Sequence, residues 1–178
     1  MNERVLYLVA CGAPPARRVG TLAGLAAEEG WQVCVIATPS ALKWLDVPAL
    51  AATTGHPVRS RYKQPDEPDL LPPPDAIIVA PATSNTINKW AAGITDTLAL
   101  GLVVEATGDG LPVVAMPWTS PGLAAYPAFG RSLAMLRASG VMVLFGPHGC
   151  GPRSADEGPP PEFPWELGLE ALRRRFPT

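Results

Sequence analysis

Four side chains in a row, Thr83-Ser84-Asn85-Thr86, are the residues of this sequence best suited to chemistry. They follow an apolar run, Ala76 to Ala80, that Pro81 brings to a stop. Side-chain oxygens of Ser, Thr and Asn are the usual caps of a helix start. Apolar residues then recur at helical spacing: Ile87, Trp90, Ala91, Ile94 and Leu98. The pattern predicts a buried strand, a tight polar turn and a helix. A helix N-terminus carries about half a positive charge and several free N–H groups. Phosphate is the guest such a turn suits.

The elements that must position these groups alternate. Val5–Cys11 reads as a buried strand, Val19–Glu29 as a helix closed by Gly30, and Gln32–Ala37 as a second strand. Ser40 is placed to cap a short helix bearing Trp44 and Leu45, and Pro48 opens another that Gly55 ends. Val58–Tyr62 reads as a weak third strand, followed by a proline-rich acidic loop, Gln64–Pro74. The strand at Ala76–Ala80 is then the fourth, and Pro112–Met116 the fifth. Pro117–Ala125 reads as a loop, Tyr126–Ser139 as an amphipathic helix and Val141–Phe145 as a sixth strand. Gly146–Glu162 is rich in glycine and proline and is expected to be mobile, and Phe163–Phe176 reads as a last short helix. The expectation is a single doubly wound, Rossmann-like α/β domain with a mostly parallel six-stranded sheet. Ligands of such sheets bind beyond the carboxyl ends of the strands, where the strand order reverses. If the first and fourth strands are neighbours, the loops at Gly12, Ser40 and Thr83 converge there.

The hexapeptide Pro81-Ala82-Thr83-Ser84-Asn85-Thr86, with Asn88, Lys89, Ala91, Gly93, Ile94, Asp96 and Leu98 behind it, resembles a known segment. It is the Pro-Ala-Ser-Ala-Asn-Thr segment of the FMN-dependent cysteine decarboxylases, which include phosphopantothenoylcysteine decarboxylase and the peptidyl-cysteine decarboxylases of lantibiotic synthesis. The resemblance spans roughly residues 4 to 145 and implies FMN held by Gly12, Ala13, Ser40 and residues 81–86. It places the flavin domain over residues 1–146, with 147–178 a proline- and glycine-rich segment and a helix packed on the same domain. It also implies a pocket shared between subunits, hence a homo-oligomer built on trimers, and a small-molecule or peptide substrate.

A dinucleotide is the rival cofactor, but its fingerprint needs a G-x-G-x-x-G turn and an acidic end to the second strand. Here the turn is Cys11-Gly12-Ala13-Pro14-Pro15-Ala16 and the second strand ends at Thr38. Ala13 itself stands where the resembled family has a serine, removing one phosphate contact.

The decarboxylation groups depart further from the family. Its catalytic histidine precedes the fourth strand; His56 is too early and His148 too late. Glu67 and Asp69 fall near that position, in an acidic loop, as a base or as part of a solvated loop. The family's Pro-Ala-Met-Asn-x-x-Met-Trp is Pro117-Trp118-Thr119-Ser120-Pro121-Gly122-Leu123-Ala124 here, so Ser120 takes the asparagine slot that holds a substrate carboxylate. A hydroxyl is shorter than an amide and lacks its paired groups. Cys150 is a possible counterpart of a flap cysteine, or a loop thiol without function. Trp90 and Trp118 can flank a ring, although Trp90 fits a core position. The candidate catalytic set is therefore Asn85, Ser120 and Glu67. Two functions follow: an FMN enzyme acting on a thiol-bearing or other small carboxylate with altered groups, or a flavin-binding redox partner, carrier or scaffold without decarboxylase activity; a nucleotide-binding α/β domain without flavin is the third reading.

Bulk composition narrows the partners. The formal net charge is −2 over 178 residues, which gives no electrostatic footprint for nucleic acid. No apolar run reaches membrane-spanning length. The start, MNERVLYLVACG, lacks the apolar core and cleavage site of a signal peptide. Three cysteines without framework spacing make disulfides an unlikely device and fit a reducing cytoplasm. No metal site is expected.

Overall fold

The computed structural model describes residues 4–146, 150–152 and 162–176. Its frame is a five-stranded sheet built from β1 (Arg4–Ala10), β2 (Trp31–Ala37), β3 (Ala76–Thr83), β4 (Val113–Trp118) and β5 (Met142–Val143). The strand order is β2-β1-β3-β4-β5 and every pair is parallel. The chain moves outward from β1 to β2, then returns across β1 to β3, so the order reverses between β1 and β3. Strands covered on both faces read as near-continuous apolar runs, because neither set of alternate side chains meets water. β3 shows this fully: every residue from Ala76 to Ala82 is buried.

The two faces make two cores. Val5, Tyr7, Val9, Ile77, Val79, Val113 and Ala115 point to one face. There they meet α3 (Ser84–Ala91), α4 (Leu98–Gly108) and α6 (Pro127–Ala138) through Trp90, Val103 and Phe129. Leu6, Leu8, Ile78, Val114 and Met116 point the other way, onto α1 (Val19–Glu28), α2 (Val47–Thr54) and α7 (Glu166–Arg173). This is the period-two alternation of a strand, with each set of side chains owned by one helical layer. At α7, Gly168 lets the helix approach closely: an added Cβ would lie 2.9 Å from the Met116 sulfur.

Several expectations need correction. There are five strands rather than six. Val58–Tyr62 is not a strand; Arg59 alone bridges to Ile36, at the outer edge beyond β2. The segment has no run of buried apolar residues to hold a longer ladder, and a bridge is all the β2 edge receives. Pro81 does not end its strand, since pairing with β4 resumes at Ala82↔Pro117 and Thr83↔Trp118. The helix read as running from Ser84 past Leu98 is two helices. Gly93, at φ +70°, closes α3, and the Thr97 side chain caps α4 by accepting from Leu100 N–H. Only glycine takes that left-handed turn without steric cost. Trp90 still links the pair, its indole N–H donating to Thr107 Oγ1 at 3.1 Å. The segment read as a loop at Pro117–Ala125 contains the end of β4 and α5 (Pro121–Ala125). The last helix is shorter than read, Glu166–Arg173. The mobility expected of Gly146–Glu162 falls mostly on residues outside those described.

Candidate functional site

The site gathers at the reversal point, where loops leave the carboxyl ends of β1, β2, β3 and β4. Cys11 N–H donates to the Pro81 carbonyl at 3.1 Å, tying the end of β1 to β3. Thr38 N–H donates to the Ala10 carbonyl at 3.0 Å, tying the end of β2 to β1. Between them Gly12 lies hard against Ser40: a Cβ at Gly12 would stand 2.7, 2.8 and 2.9 Å from Ser40 Oγ, O and C. Only a residue without a side chain permits that approach. Ser40 does not cap the following turn, which begins at Ala41 without a side-chain cap. Its hydroxyl instead lies 3.2 Å from Thr38 Oγ1. Ala13 is buried and offers no hydroxyl to the 3-10 turn at Pro14–Arg18.

The β3–α3 turn forms the floor. Thr83 is the N-cap of α3; its hydroxyl accepts from Thr86 N–H at 3.4 Å and donates to Thr86 Oγ1 at 3.2 Å. The remaining first-turn N–H groups of a helix have no intrahelical acceptor. Asn85 is exposed on that turn, and Thr86 is buried beneath it. One turn further, Asn88 Oδ1 is buried with no hydrogen-bond partner among the described residues. The Cys11 thiol lies under the same turn. Burial raises its pKa, partly offset by hydrogen bonds from Thr86 and Thr83, so it sits there as a neutral thiol. Pro81 and Ala82 are buried in the strand.

Ser84 behaves differently from its neighbours. Its hydroxyl is buried and lies 2.5 Å from Thr119 Oγ1, on the loop after β4. Sequence reading did not single out Thr119; the two partners lie 35 residues apart and nothing local marks them. The next residue, Ser120, is exposed and caps α5, accepting from Leu123 N–H at 3.5 Å.

The structure thus brings together Gly12, Ala13, Ser40 and residues 81–86, with Ser120 linked in through Thr119. Glu67 belongs to a different setting. Its carboxylate accepts from Gln64 N–H at 2.9 Å. It lines a cavity of about 580 Å³ walled by residues 58–70, among them Arg59, Arg61 and Tyr62. No residue of the β1, β3 or β4 loops lines that cavity. Asp69 is paired with Lys63 at 2.7 Å. Cys150 is buried, in the same core cluster as Phe163 and Trp165, and burial pushes its pKa to about 12. Trp118 is half-buried and tilts against Phe163, 6.0 Å between ring centroids, beside a cavity of about 250 Å³ that also touches Pro14 and Pro15. Trp90 is a core residue.

Among the described residues no helix is long and apolar enough to cross a membrane. None of them form a group of three or more His, Cys, Asp or Glu placed to hold a metal ion.

Comparison with known proteins gives the same architecture. The chain superposes on the FMN-dependent cysteine decarboxylase SpaF with a TM-score of 0.73 at 23% identity, covering 97% of each chain. It superposes on a PPC decarboxylase mutant complexed with pantothenoylaminoethenethiol with a TM-score of 0.76 at 19% identity, covering 99% of this chain and 100% of that one. These likenesses establish the fold. In sequence, the coenzyme A biosynthesis bifunctional protein CoaBC of Bacillus subtilis (strain 168) is 29% identical over 150 residues, 81% of this chain. The match spans only 36% of that relative's length. A family model described as Flavoprotein matches residues 2–160, a span that contains the five strands and the loops after β1, β2, β3 and β4. The chain belongs to the Flavoprotein family.

Proposed function

We propose that this chain binds FMN at the reversal point, and that its turnover of ordinary cysteinyl substrates is slow or absent. The carrying observation is the contact of Gly12 with Ser40 directly beside the capped start of α3. It leaves a close, side-chain-poor approach between two loops beside hydroxyls and the first-turn N–H groups of a helix, which suits a phosphate monoester. In this reading residues 83–86 and Ser40 hold the phosphate, and Gly12 and Ala13 give the backbone close access. Pro81 and Ala82 fix the floor, and Asn85, exposed at the helix start, faces the bound molecule.

Bound flavin supplies a two-electron acceptor for a small thiol-bearing carboxylate. The chain's own residues must orient that carboxylate and take a proton. Ser120 is the candidate for the first task; its oxygen accepts from Leu123 N–H as the cap of α5, which leaves a single O–H to donate where an amide would offer paired groups. Glu67 is the candidate for the second, but it is held by Gln64 N–H in the cavity beside β2. A positioned acid–base group is worth about 10²–10⁴ in rate. That placement favours the second reading, a flavin-binding protein that does not decarboxylate cysteine, over an enzyme with a full catalytic set.

We also place the protein in the cytoplasm, where its three free thiols stay reduced, and read it as a homotrimer. Large exposed apolar residues, Tyr126, Leu123 and Met135 among them, are available for an interface.

The visible spectrum of the purified protein, followed by an FMN titration, tests the cofactor. Asn85→Asp and Thr83→Ala together should release the flavin, since the carboxylate repels the phosphate; wild-type affinity in that variant refutes the site. Carbon dioxide release from phosphopantothenoylcysteine and from a C-terminal cysteinyl peptide tests the chemistry. Robust release lost in Glu67→Gln overturns the non-decarboxylase reading and makes Glu67 the base. Light scattering at micromolar concentration that shows a monomer removes the trimer.

A further inference from the structure

The Ser84–Thr119 pair stands apart from the rest of the site. Both side chains are 7% exposed, and their hydroxyls meet at 2.5 Å across two separate loops. Thr119 Oγ1 also reaches the Ser120 carbonyl, at a long 3.5 Å. One arrangement satisfies all three groups: Ser84 donates to Thr119, and Thr119 donates to Ser120. The β3–β4 ladder runs up to this point, with Thr83 opposite Trp118. The pair continues that ladder by side chains once the backbone has turned away on both sides.

A buried hydroxyl left without a partner is destabilising, and each of these two supplies a partner for the other. In the resembled motifs these two places hold Ala and Met. The chain thus differs at both, and the structure puts both differences into one contact.

We propose that Ser84 and Thr119 are a positioning pair: they lock the start of α3 to the β4 loop, and so fix the place of Ser120 relative to the α3 start. The inference rests on the FMN reading above. Neither hydroxyl is assigned a contact with substrate. Their effect runs through the geometry of Asn85 on one side and Ser120 on the other. Ser84 accordingly contributes its backbone N–H to the floor and spends its hydroxyl on Thr119.

The test is a double-mutant cycle on the full chain, read by FMN titration and by thermal unfolding of the flavin-free protein. Thr119→Val keeps the shape and removes the hydroxyl; Ser84→Ala removes its partner. Each single change should weaken FMN binding, and the double change should be no weaker than the poorer single. Contacting residues couple by about 0.5–3 kcal/mol, a factor of roughly 2 to 150 in Kd. Thr119→Ser, which keeps the hydroxyl, should restore affinity, and Ser84→Ala carries the test alone should Thr119→Val fail to fold. Single changes that lower the melting temperature but leave FMN affinity untouched, or effects on affinity that simply add, overturn the proposal. A wild-type protein that does not bind FMN defeats the cofactor reading itself, and is recognised before any variant is made.

Discussion

Alanine placed at two glycines of this chain should act with opposite sign. At Gly12 the new Cβ meets Ser40 Oγ, O and C at 2.7, 2.8 and 2.9 Å, two of them backbone atoms. Ordinary contact begins at 3.4 Å, so the Ser40 backbone must give way by about 0.5–0.6 Å. The hydroxyl can swing aside; the carbonyl cannot, because its residue is fixed between the Thr38–Ser40 contact and the Ala41 N–H bond to Thr38. Forcing an extra methyl into packed structure costs about 1–3 kcal/mol. In a chain of this size that lowers the melting temperature by roughly 2–12 °C. The same opening separates the Ser40 loop from α3, and losing one hydrogen bond to a charged group is worth about 1.5–3 kcal/mol. FMN affinity should then fall by roughly 10- to 150-fold. At Gly24, in the interior of α1, nothing lies within 4 Å of the built Cβ. Alanine there gains about 0.4–1 kcal/mol from helix propensity and a less flexible unfolded chain. The melting temperature should rise by roughly 1–4 °C with FMN affinity unchanged. Differential scanning fluorimetry and flavin fluorescence titration measure both variants. A Gly12→Ala protein with wild-type stability and affinity refutes the contact and the cradle built on it.

The remaining predictions concern burial. Burial raises the Cys34 thiol to about 11, the Cys150 thiol to about 12 and the Tyr7 phenol to about 12. The folded state therefore holds these protons more tightly than the unfolded chain, and stability falls as pH rises. The contribution is intact below the unfolded values of 9.0 for the thiols and 10.0 for Tyr7, and is lost through pH 11–12; a denaturant midpoint that is constant from pH 8 to 11 contradicts it. Native protein at pH 7 should react slowly with a thiol reagent such as DTNB and yield three thiols only on denaturation. A fast thiol in the native state shows that one of them is not buried as described. Leu169 on α7 is 1% exposed, and Leu169→Ala should cost about 2–5 kcal/mol in chemical denaturation. A loss below about 1 kcal/mol means α7 is not part of the cooperative core.

Much of the frame was legible because its signals are local. β1, β2 and β4 announce themselves as apolar runs, since both faces are covered and no polar residue need interrupt them. The capped start of α3 was legible for the same reason: Thr83 serves the N–H of a residue three positions on. What failed were judgements that need a neighbour. Val58–Tyr62 has strand-like residues but only the β2 edge to pair with, and Arg59 alone does so. Ser40 looked like a cap and turned out to bond Thr38 instead, since the chain turns through Ala41 before the next helical residue. Ser120 was read as lying in a loop, whereas Pro121 behind it is set to open a helix that Ser120 caps. The Ser84–Thr119 contact joins two loops that no sequence window contains together. Glu67 is expected at the site because it precedes the fourth strand near the place of the resembled family's histidine, a linear position that ignores the fold of the intervening loop.

The spread of the site along the chain has a kinetic consequence. Gly12, Ser40, Thr83 and Ser120 come from four different loops, and they meet only after β1 has paired with β3. That pairing joins Val5 to Asp75, 70 residues apart, with the Val5 N–H bonded to the Asp75 carboxylate at 2.7 Å. Non-local closure of this kind dominates the barrier to folding. The proposed cradle is therefore a late product of assembly, and on that reading a free flavin has nothing to grip in the early chain. Cofactor added to a refolding reaction should leave the folding rate unchanged and slow only the return journey, because a ligand that binds the finished state alone deepens that state without lowering the pass that leads to it.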